Sequence, residues 1–301
     1  MDKAAPQELK GILVALVTPF TDDGSRIDEG RLKAHIDHMI DAGIHGLVPG
    51  GSTGEFTTMN LDERKQLVEL CVQFAAGRVP VVAGVGCLST NDCIHLASHA
   101  AQAGAAALMV VPPFYDALSV EQLQGLMSEI SQASQLPIVY YNIPSASGLK
   151  LSPQQMADLS ECGVKYLKDT SGDAPALTEL LFGLQDKITA FNGWDTLTFY
   201  GLAAGAKGSV WGASNIIPEL SVQLWEALAV KGDLKLGREL WAKIWPICKF
   251  LESYHYASAV KTGMELLGKP TGGLRKPFAL LTGDTRQTLA QLLKNASLET
   301  V

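Results

Sequence analysis

Short apolar runs alternate with helical patterns eight times along the chain, and this repeat restricts the fold more than any other feature. Parallel strands that are covered on both faces read as near-continuous apolar runs, and each needs a crossover helix before the next strand. Eight such units close into a parallel barrel. The repeat therefore predicts an α/β protein with a (β/α)8, or TIM, barrel fold. The predicted strands span residues 12–17, 44–48, 79–85, 106–111, 137–141, 164–168, 188–192 and 206–211.

The end of the chain contains more helical pattern than a barrel requires. Apolar residues recur at helical spacing over residues 234–251, 257–267 and 284–295. We therefore expect a catalytic barrel over residues 1–230 and a C-terminal helical extension, residues 231–301, packed on the barrel.

Composition and charge exclude several classes of partner. The 301 residues carry a net charge of −7 and no basic run, which argues against nucleic-acid binding. No window approaches the roughly 18 uninterrupted apolar residues of a membrane span, and residues 1–10 lack the apolar stretch of a signal peptide. Five cysteines without a CxxC pair fit reduced thiols. We expect a cytoplasmic protein with no nucleic-acid or membrane partner.

Chemically capable residues collect at the carboxyl ends of the predicted strands, where barrel enzymes have their active sites. Lys168 ends the sixth strand. A free lysine amine has a pKa near 10.4, but burial disfavours the ammonium and lowers that pKa. Lys168 is therefore a candidate for Schiff-base formation. A lone lysine after a strand is more often an ordinary exposed side chain, so this assignment depends on the neighbouring residues.

The neighbouring strand ends supply candidate partners for Lys168. Tyr141 ends the fifth strand and can serve as a general acid/base beside an imine. Since adjacent strand residues face opposite ways, only one of Tyr140 and Tyr141 can face the barrel interior. Ser52 can relay the proton, and Tyr115 can extend that relay.

The second strand leads into Gly-Gly-Ser-Thr-Gly-Glu at residues 50–55. Glycines let the backbone bend closely around a small anion such as a carboxylate or a phosphate, and the hydroxyl side chains add hydrogen bonds. A tight turn with a hydroxyl cap is the alternative. The spacing matches neither a Walker loop nor the dinucleotide fingerprint, so we do not expect nucleotide binding.

Three motifs together resemble those of one known family. After the turn at 50–55 come Tyr-Asn-Ile-Pro-Ser-Ala-Ser-Gly at 141–148 and Lys-Asp-Thr-Ser-Gly-Asp at 168–173. Their order and spacing, over essentially the whole chain, resemble the dihydrodipicolinate synthase/N-acetylneuraminate lyase family. The resemblance implies a (β/α)8 barrel that assembles as a homodimer or homotetramer. It also implies class I aldolase chemistry on pyruvate or another 2-oxo acid through a lysine imine, with no separate cofactor.

The same resemblance implies roles for individual residues. Lys168 matches the Schiff-base lysine, and Tyr141 matches the proton shuttle. Ser52 and Thr53 match the hydroxyl pair that binds the carboxylate of the 2-oxo acid and relays protons. Tyr115 resembles the tyrosine that members lend across a tight dimer interface.

Further positions are candidates for substrate binding. Gly193 and Asp195 fall where sugar-acid lyases of the family contact substrate hydroxyls. The complete set of substrate-binding candidates is Gly51, Thr53, Thr170, Gly193, Asp195 and Val210.

Three residues depart from the family patterns. Ala146 stands where synthases of the lysine pathway carry an arginine for the second substrate's carboxylate, which argues against dihydrodipicolinate synthase activity. Thr196 and Gly212 replace an acidic residue and a serine of the neuraminate lyases, which argues against sialic acid. We therefore expect aldol cleavage or condensation of a 2-keto-3-deoxy sugar acid or a hydroxy-oxo acid.

Other functions stay open as alternatives. They are a dihydrodipicolinate synthase-type condensation, a dehydratase or deaminase that uses the same imine, and a non-catalytic sensor of 2-oxo acids. A metal-dependent aldolase would need clustered carboxylates or histidines at the strand ends. The pairs His35–His38 and His95–His99 have helical spacing but lie on predicted outer helices, so we expect no metal site.

Overall fold

Eight parallel strands alternate with helices in the computed structural model, which describes residues 8–300. The strands are β1 (Gly11–Ala15), β2 (Gly46–Val48), β3 (Val82–Val85), β4 (Ala107–Val110), β5 (Ile138–Asn142), β6 (Val164–Asp169), β7 (Thr189–Asn192) and β8 (Gly208–Trp211). Their order is β2-β1-β8-β7-β6-β5-β4-β3, and a parallel bridge between Leu47 and Val81 brings the two end strands together. The predicted TIM barrel is confirmed.

The helices surround this barrel and continue beyond it. They are α1 (Glu29–Asp41), α2 (Leu61–Ala75), α3 (Thr90–Ala103), α4 (Val120–Ser134), α5 (Pro144–Ser147), α6 (Pro153–Asp158), α7 (Ala174–Phe182), α8 (Thr198–Ala203), α9 (Pro218–Trp225), α10 (Leu234–Glu252), α11 (Tyr256–Leu266) and α12 (Gly283–Asn295). Helix α5 has only four residues, too few to show a helical period in the sequence.

Local sequence explains where several of these helices begin and end. Asn60 and Glu63 form a capping box at the start of α2: each side chain accepts a hydrogen bond from the other residue's backbone N–H, at 2.9 and 3.0 Å. Gly104 ends α3 with φ of 93°, in the left-handed region that glycine enters without a Cβ clash. After Gly104 only residues 105 and 106 precede β4, so the turn from α3 into that strand is short.

Strand β6 shows how the barrel interior is filled. Tyr166 lies two residues before Lys168, so both side chains point to the same face of the sheet. The Tyr166 ring stacks on Phe191 of β7 at 5.6 Å, and its hydroxyl accepts a hydrogen bond from the Leu9 N–H at 3.3 Å. The lower barrel is therefore closed by aromatic packing, and Lys168 stands above that layer.

The C-terminal helices pack closely against the rest of the chain. Helix α10 buries apolar residues that include Leu240, Ile244 and Leu251. In α11, Lys261 is completely buried and its Nζ lies 2.5 Å from Oε1 of the buried Glu55. The expected division between residues 230 and 231 falls after a π-helical turn, Glu226–Val230, and before α10.

Two of the expectations concern membrane spans and the N-terminus. No helix within residues 8–300 is long and apolar enough to cross a membrane. The expectation that there is no signal peptide refers to residues 1–10, of which 1–7 lie outside the described residues.

Candidate active site

A cavity of about 300 Å³ opens at the carboxyl ends of the strands. Lys168 reaches into it from the end of β6, and only 5% of its side chain is exposed. Its Nζ lies 4.0 Å from the centroid of the Tyr141 ring. The lining residues are Ala15, Ser52, Thr53, Tyr141, Ile143, Lys168, Gly193, Trp194, Asp195, Val210, Gly212, Glu252, Tyr254, His255, Tyr256 and Ala257.

Strand register brings Lys168 and Tyr141 together. The two residues are direct partners in the parallel pairing of β5 with β6, so both side chains point into the barrel mouth. Tyr140 points the opposite way into the outer core, where burial raises the pKa of its hydroxyl. Of the two adjacent tyrosines, Tyr141 therefore faces the lysine.

Gly193 leaves the space that Lys168 occupies. A Cβ at Gly193 would lie 2.7 Å from Cγ and 2.8 Å from Cε of Lys168, and 2.7 Å from Cγ2 of Thr170. These distances are well below ordinary van der Waals contact. The contribution of Gly193 to the site is thus the absence of a side chain, because the lysine stem lies against its backbone.

The turn at residues 50–55 forms the opposite wall. Gly54 packs so closely that a Cβ would lie 2.9 Å from the Leu16 carbonyl oxygen, and Glu55 has a left-handed φ of 58°. The Glu55 carboxylate is tied to Lys261 as described above. This anchoring presents Ser52 and Thr53 to the cavity. Two hydroxyls at this place can donate hydrogen bonds to a small carboxylate.

The C-terminal extension supplies a wall that the sequence motifs did not indicate. The Tyr256 hydroxyl donates a hydrogen bond to Oδ2 of Asp195 at 2.6 Å, and Glu252 accepts one from the Thr196 N–H at 2.9 Å. Burial, reinforced by the Glu252 charge, raises the pKa of Asp195 to about 7, although the Tyr256 hydrogen bond opposes that rise. A Cβ at Gly212 would lie 2.4 Å from the Tyr256 ring. Thr196 and Gly212, two of the residues that depart from the family patterns, therefore accommodate the C-terminal extension: Thr196 bonds to Glu252, and Gly212 leaves room for the Tyr256 ring.

A sequence signal for this wall does exist. Residues 252–256 read Glu-Ser-Tyr-His-Tyr between two strongly apolar helical patterns. Such a cluster at a helix junction is typical of a site rather than of a core. Nothing in the local pattern, however, relates it to the strand ends, since the contact arises from tertiary packing.

The remaining predicted site residues are placed differently from one another. Val210 lines the cavity. The Thr170 hydroxyl donates to the Asn142 carbonyl at 2.6 Å and does not line the cavity. Gly51 lies within the turn, where a Cβ would touch Met109 at 3.0 Å. Tyr115 lies outside the cavity, with 87% of its side chain exposed.

Metal-binding groups are not assembled in the part of the chain that the structure describes. No group of three or more His, Cys, Asp or Glu side chains is placed to hold an ion there. His35 is buried, and its Nε2 lies 2.9 Å from Oδ1 of Asn215, while His99 pairs with Glu69 on the outer helices.

Comparisons with known proteins extend over nearly the whole chain. The model of the dihydrodipicolinate synthetase family matches residues 8–296. A 4-hydroxy-tetrahydrodipicolinate synthase of Methanopyrus kandleri is 34% identical over 97% of this chain and 97% of its own length. Among solved structures, the pyruvate complex of the chloride-inhibited dihydrodipicolinate synthase from Acinetobacter baumannii has a TM-score of 0.92 at 29% identity, covering 97% of this chain and 100% of that one.

A second solved structure is also similar to this chain. It is a prophage protein from E. coli K12 of the dihydrodipicolinic acid synthase family, in complex with pyruvate. Its TM-score is 0.90 at 28% identity, and the match covers 96% of this chain and 99% of that chain.

Proposed function

Because the chain belongs to the dihydrodipicolinate synthetase family, as its motifs predicted, we propose that it forms a Schiff base between Lys168 and pyruvate. The family consists of lyase-type enzymes with class I aldolase chemistry, which use this covalent imine instead of a cofactor. The observation that carries the proposal is the buried Lys168 amine, 4.0 Å from the Tyr141 ring centroid, in a cavity at the barrel mouth.

The residues around the amine support each step. The neutral amine attacks the C2 carbonyl of pyruvate, and loss of water gives the imine. Loss of a proton from the methyl carbon then gives an enamine, whose C3 is the nucleophile. Tyr141, whose ring lies beside the amine, is the candidate to carry these protons, with Ser52 as its relay. Ser52 and Thr53 also bind the pyruvate carboxylate, which fixes the orientation of C2.

For the acceptor reaction, the names of the relatives support a condensation better than the cleavage of a 2-keto-3-deoxy sugar acid. We therefore put first the alternative named in the sequence analysis, a dihydrodipicolinate synthase-type condensation of the pyruvate enamine with an aldehyde. Ala146, in place of the arginine, argues that this aldehyde is not the carboxylated one of the lysine pathway. Dehydration or deamination through the same imine is the second candidate, favoured by Asp195, whose raised pKa lets it donate a proton to a leaving group.

Assembly and location stay predictions. Pyruvate is present in the solved complexes of two neighbours and is the proposed substrate here. Self-association as a homodimer or homotetramer is supported by the exposed Tyr115, the residue expected to reach a partner's site. We also keep the cytoplasmic location, which follows from the cysteine usage.

Borohydride trapping tests the imine directly. Reduction in the presence of pyruvate should add the mass of the reduced pyruvate adduct to the peptide that contains Lys168. Lys165, an exposed lysine on the same strand, offers a matched control. Lys165→Met should be labelled like the wild type, and Lys168→Met should not be labelled. Labelling of folded Lys168→Met, or none of the wild type, contradicts the proposal.

A further inference from the structure

A second cavity of about 190 Å³ adjoins the lysine cavity. Three residues, Ser52, Ile143 and His255, line both. A molecule bonded to the pyruvate enamine at Lys168 can therefore extend past these residues into the second space. The full lining is Ser52, Glu55, Phe56, Thr57, Val111, Phe114, Ile143, Ala146, His255 and Phe278.

The walls of this second cavity are mostly aromatic and aliphatic. Phe56 and Phe114 meet edge to face, with ring centroids 5.8 Å apart. His255 and Phe278 stack at 3.9 Å with an interplanar angle of 7°. Flat rings favour offset-stacked or edge-to-face contact with another flat ring. The cavity therefore suits a planar apolar group.

The charges of the second cavity disfavour an anion. Its one ionisable acidic group within the described chain is Glu55, which Lys261 neutralises at 2.5 Å and the Arg275 N–H contacts at 3.1 Å. Neither lysine nor arginine is present in the lining within residues 8–300. Position 146, at the rim, is alanine. A carboxylate that entered would lose hydration without meeting a lysine or an arginine.

Given the pyruvate imine proposed above, on which this step rests, we propose that the acceptor is an aromatic aldehyde. Its ring occupies this second cavity. An apolar cavity of roughly 150 Å³ is enough to hold a benzene molecule, so a phenyl ring fits in the space of about 190 Å³.

The step is an aldol addition. C3 of the enamine donates its electron pair to the aldehyde carbon, and a carbon–carbon bond forms as the carbonyl π bond breaks. The aldehyde oxygen takes one proton, from Tyr141 in this assignment. Water then hydrolyses the imine, which restores the Lys168 amine and releases a 4-hydroxy-2-oxo acid. The sum is pyruvate plus aldehyde giving one product, with no oxidant or reductant.

Competition between aldehydes tests the acceptor class. Pyruvate is supplied with benzaldehyde, with glyceraldehyde, or with the four-carbon amino-acid aldehyde that 4-hydroxy-tetrahydrodipicolinate would require, and pyruvate consumption and product mass are measured. We expect kcat/KM to be at least about tenfold higher for benzaldehyde, the size of effect that a well-filled apolar subsite gives. Equal or faster use of the carboxylated aldehyde overturns the inference.

The two proposals fail in different ways. A chain that gives no borohydride adduct with pyruvate alone lacks the imine, and the proposed function is wrong. A chain that gives the adduct but does not prefer the aromatic aldehyde keeps the imine and refutes only the acceptor assignment.

Substitution of Ala146 provides an independent check with a matched control. Ala146→Arg supplies the missing cation and should raise kcat/KM for the carboxylated aldehyde relative to benzaldehyde at least about tenfold. Ala146→Met, of similar length and no charge, should leave the carboxylated aldehyde disfavoured. If Ala146→Arg leaves the ratio within twofold of the wild type, charge at this cavity does not select the acceptor and the inference is wrong.

Discussion

Replacing Gly193 by alanine should disable the lysine without unfolding the chain. The added Cβ would lie 2.7 Å from Cγ and 2.8 Å from Cε of Lys168, whereas ordinary contact begins near 3.4 Å. Since Thr170 Cγ2 also lies 2.7 Å away, the lysine stem has to move by about 0.7 Å, which approaches 1 Å. A displacement of that size in a reacting group lowers rate by roughly 100-fold. We therefore expect the rate of imine formation with pyruvate to fall by about two orders of magnitude.

The assay for Gly193→Ala is the time course of borohydride-trapped adduct at saturating pyruvate, with circular dichroism to confirm folding. Gly30→Ala is the control, because Gly30 lies exposed in helix α1 and a Cβ there meets only Asp28 Oδ1, at an ordinary 3.5 Å. It should react at the wild-type rate. If folded Gly193→Ala forms the adduct within about threefold of the wild-type rate, the lysine stem does not depend on this close approach.

Two further predictions concern stability. Burial raises the pKa of Asp195 to about 7 in the folded chain, whereas the carboxyl of the unfolded chain has its ordinary pKa near 4. Between about pH 4 and 7 the folded chain therefore keeps a proton that the unfolded chain has lost. The free energy of unfolding falls as the pH rises through that window. Asp195→Asn cannot ionise and should gain up to about 4 kcal/mol over the wild type at pH 8 but nothing below pH 4, measured by urea unfolding; a gain that is independent of pH refutes the assignment. Lys261→Met leaves the Glu55 carboxylate buried without its cation and should cost about 3–5 kcal/mol, whereas adding Glu55→Gln should recover most of that loss. A double variant as unstable as Lys261→Met would show that packing and not charge dominates there.

Most of the barrel could be predicted because its signals are local. Each strand is a short apolar run and each helix a periodic pattern, so residue spacing alone places Lys168 and Tyr141 on adjacent strands. The parallel register then follows from the fold. The prediction that Thr170 binds substrate had a weaker basis. Its hydroxyl donates to the Asn142 carbonyl, and the sequence does not reveal such competing hydrogen-bond partners.

The missed part of the site is the part built by long-range packing. Glu252 and Tyr256 lie far from Thr196 and Asp195 in sequence, and only the docking of α10 and α11 brings them together. No periodicity reports such a contact. The second cavity, which His255 helps to line, could not be predicted for the same reason.

The junction between α10 and α11 lines the cavity, and its position affects how the substrate range of such a barrel can evolve. In the proposed function, the strand ends carry the groups that handle pyruvate, whereas a short segment near residues 252–257 lines part of the space that the other reactant enters. Under the proposed function, we expect mutations in that segment to change which aldehyde is accepted and to leave the imine chemistry intact. Selection can therefore explore new products through substitutions of a few residues at this junction. The same arrangement leaves the cavity incomplete during synthesis until residues 252–257, which lie within the last quarter of the chain, have been made.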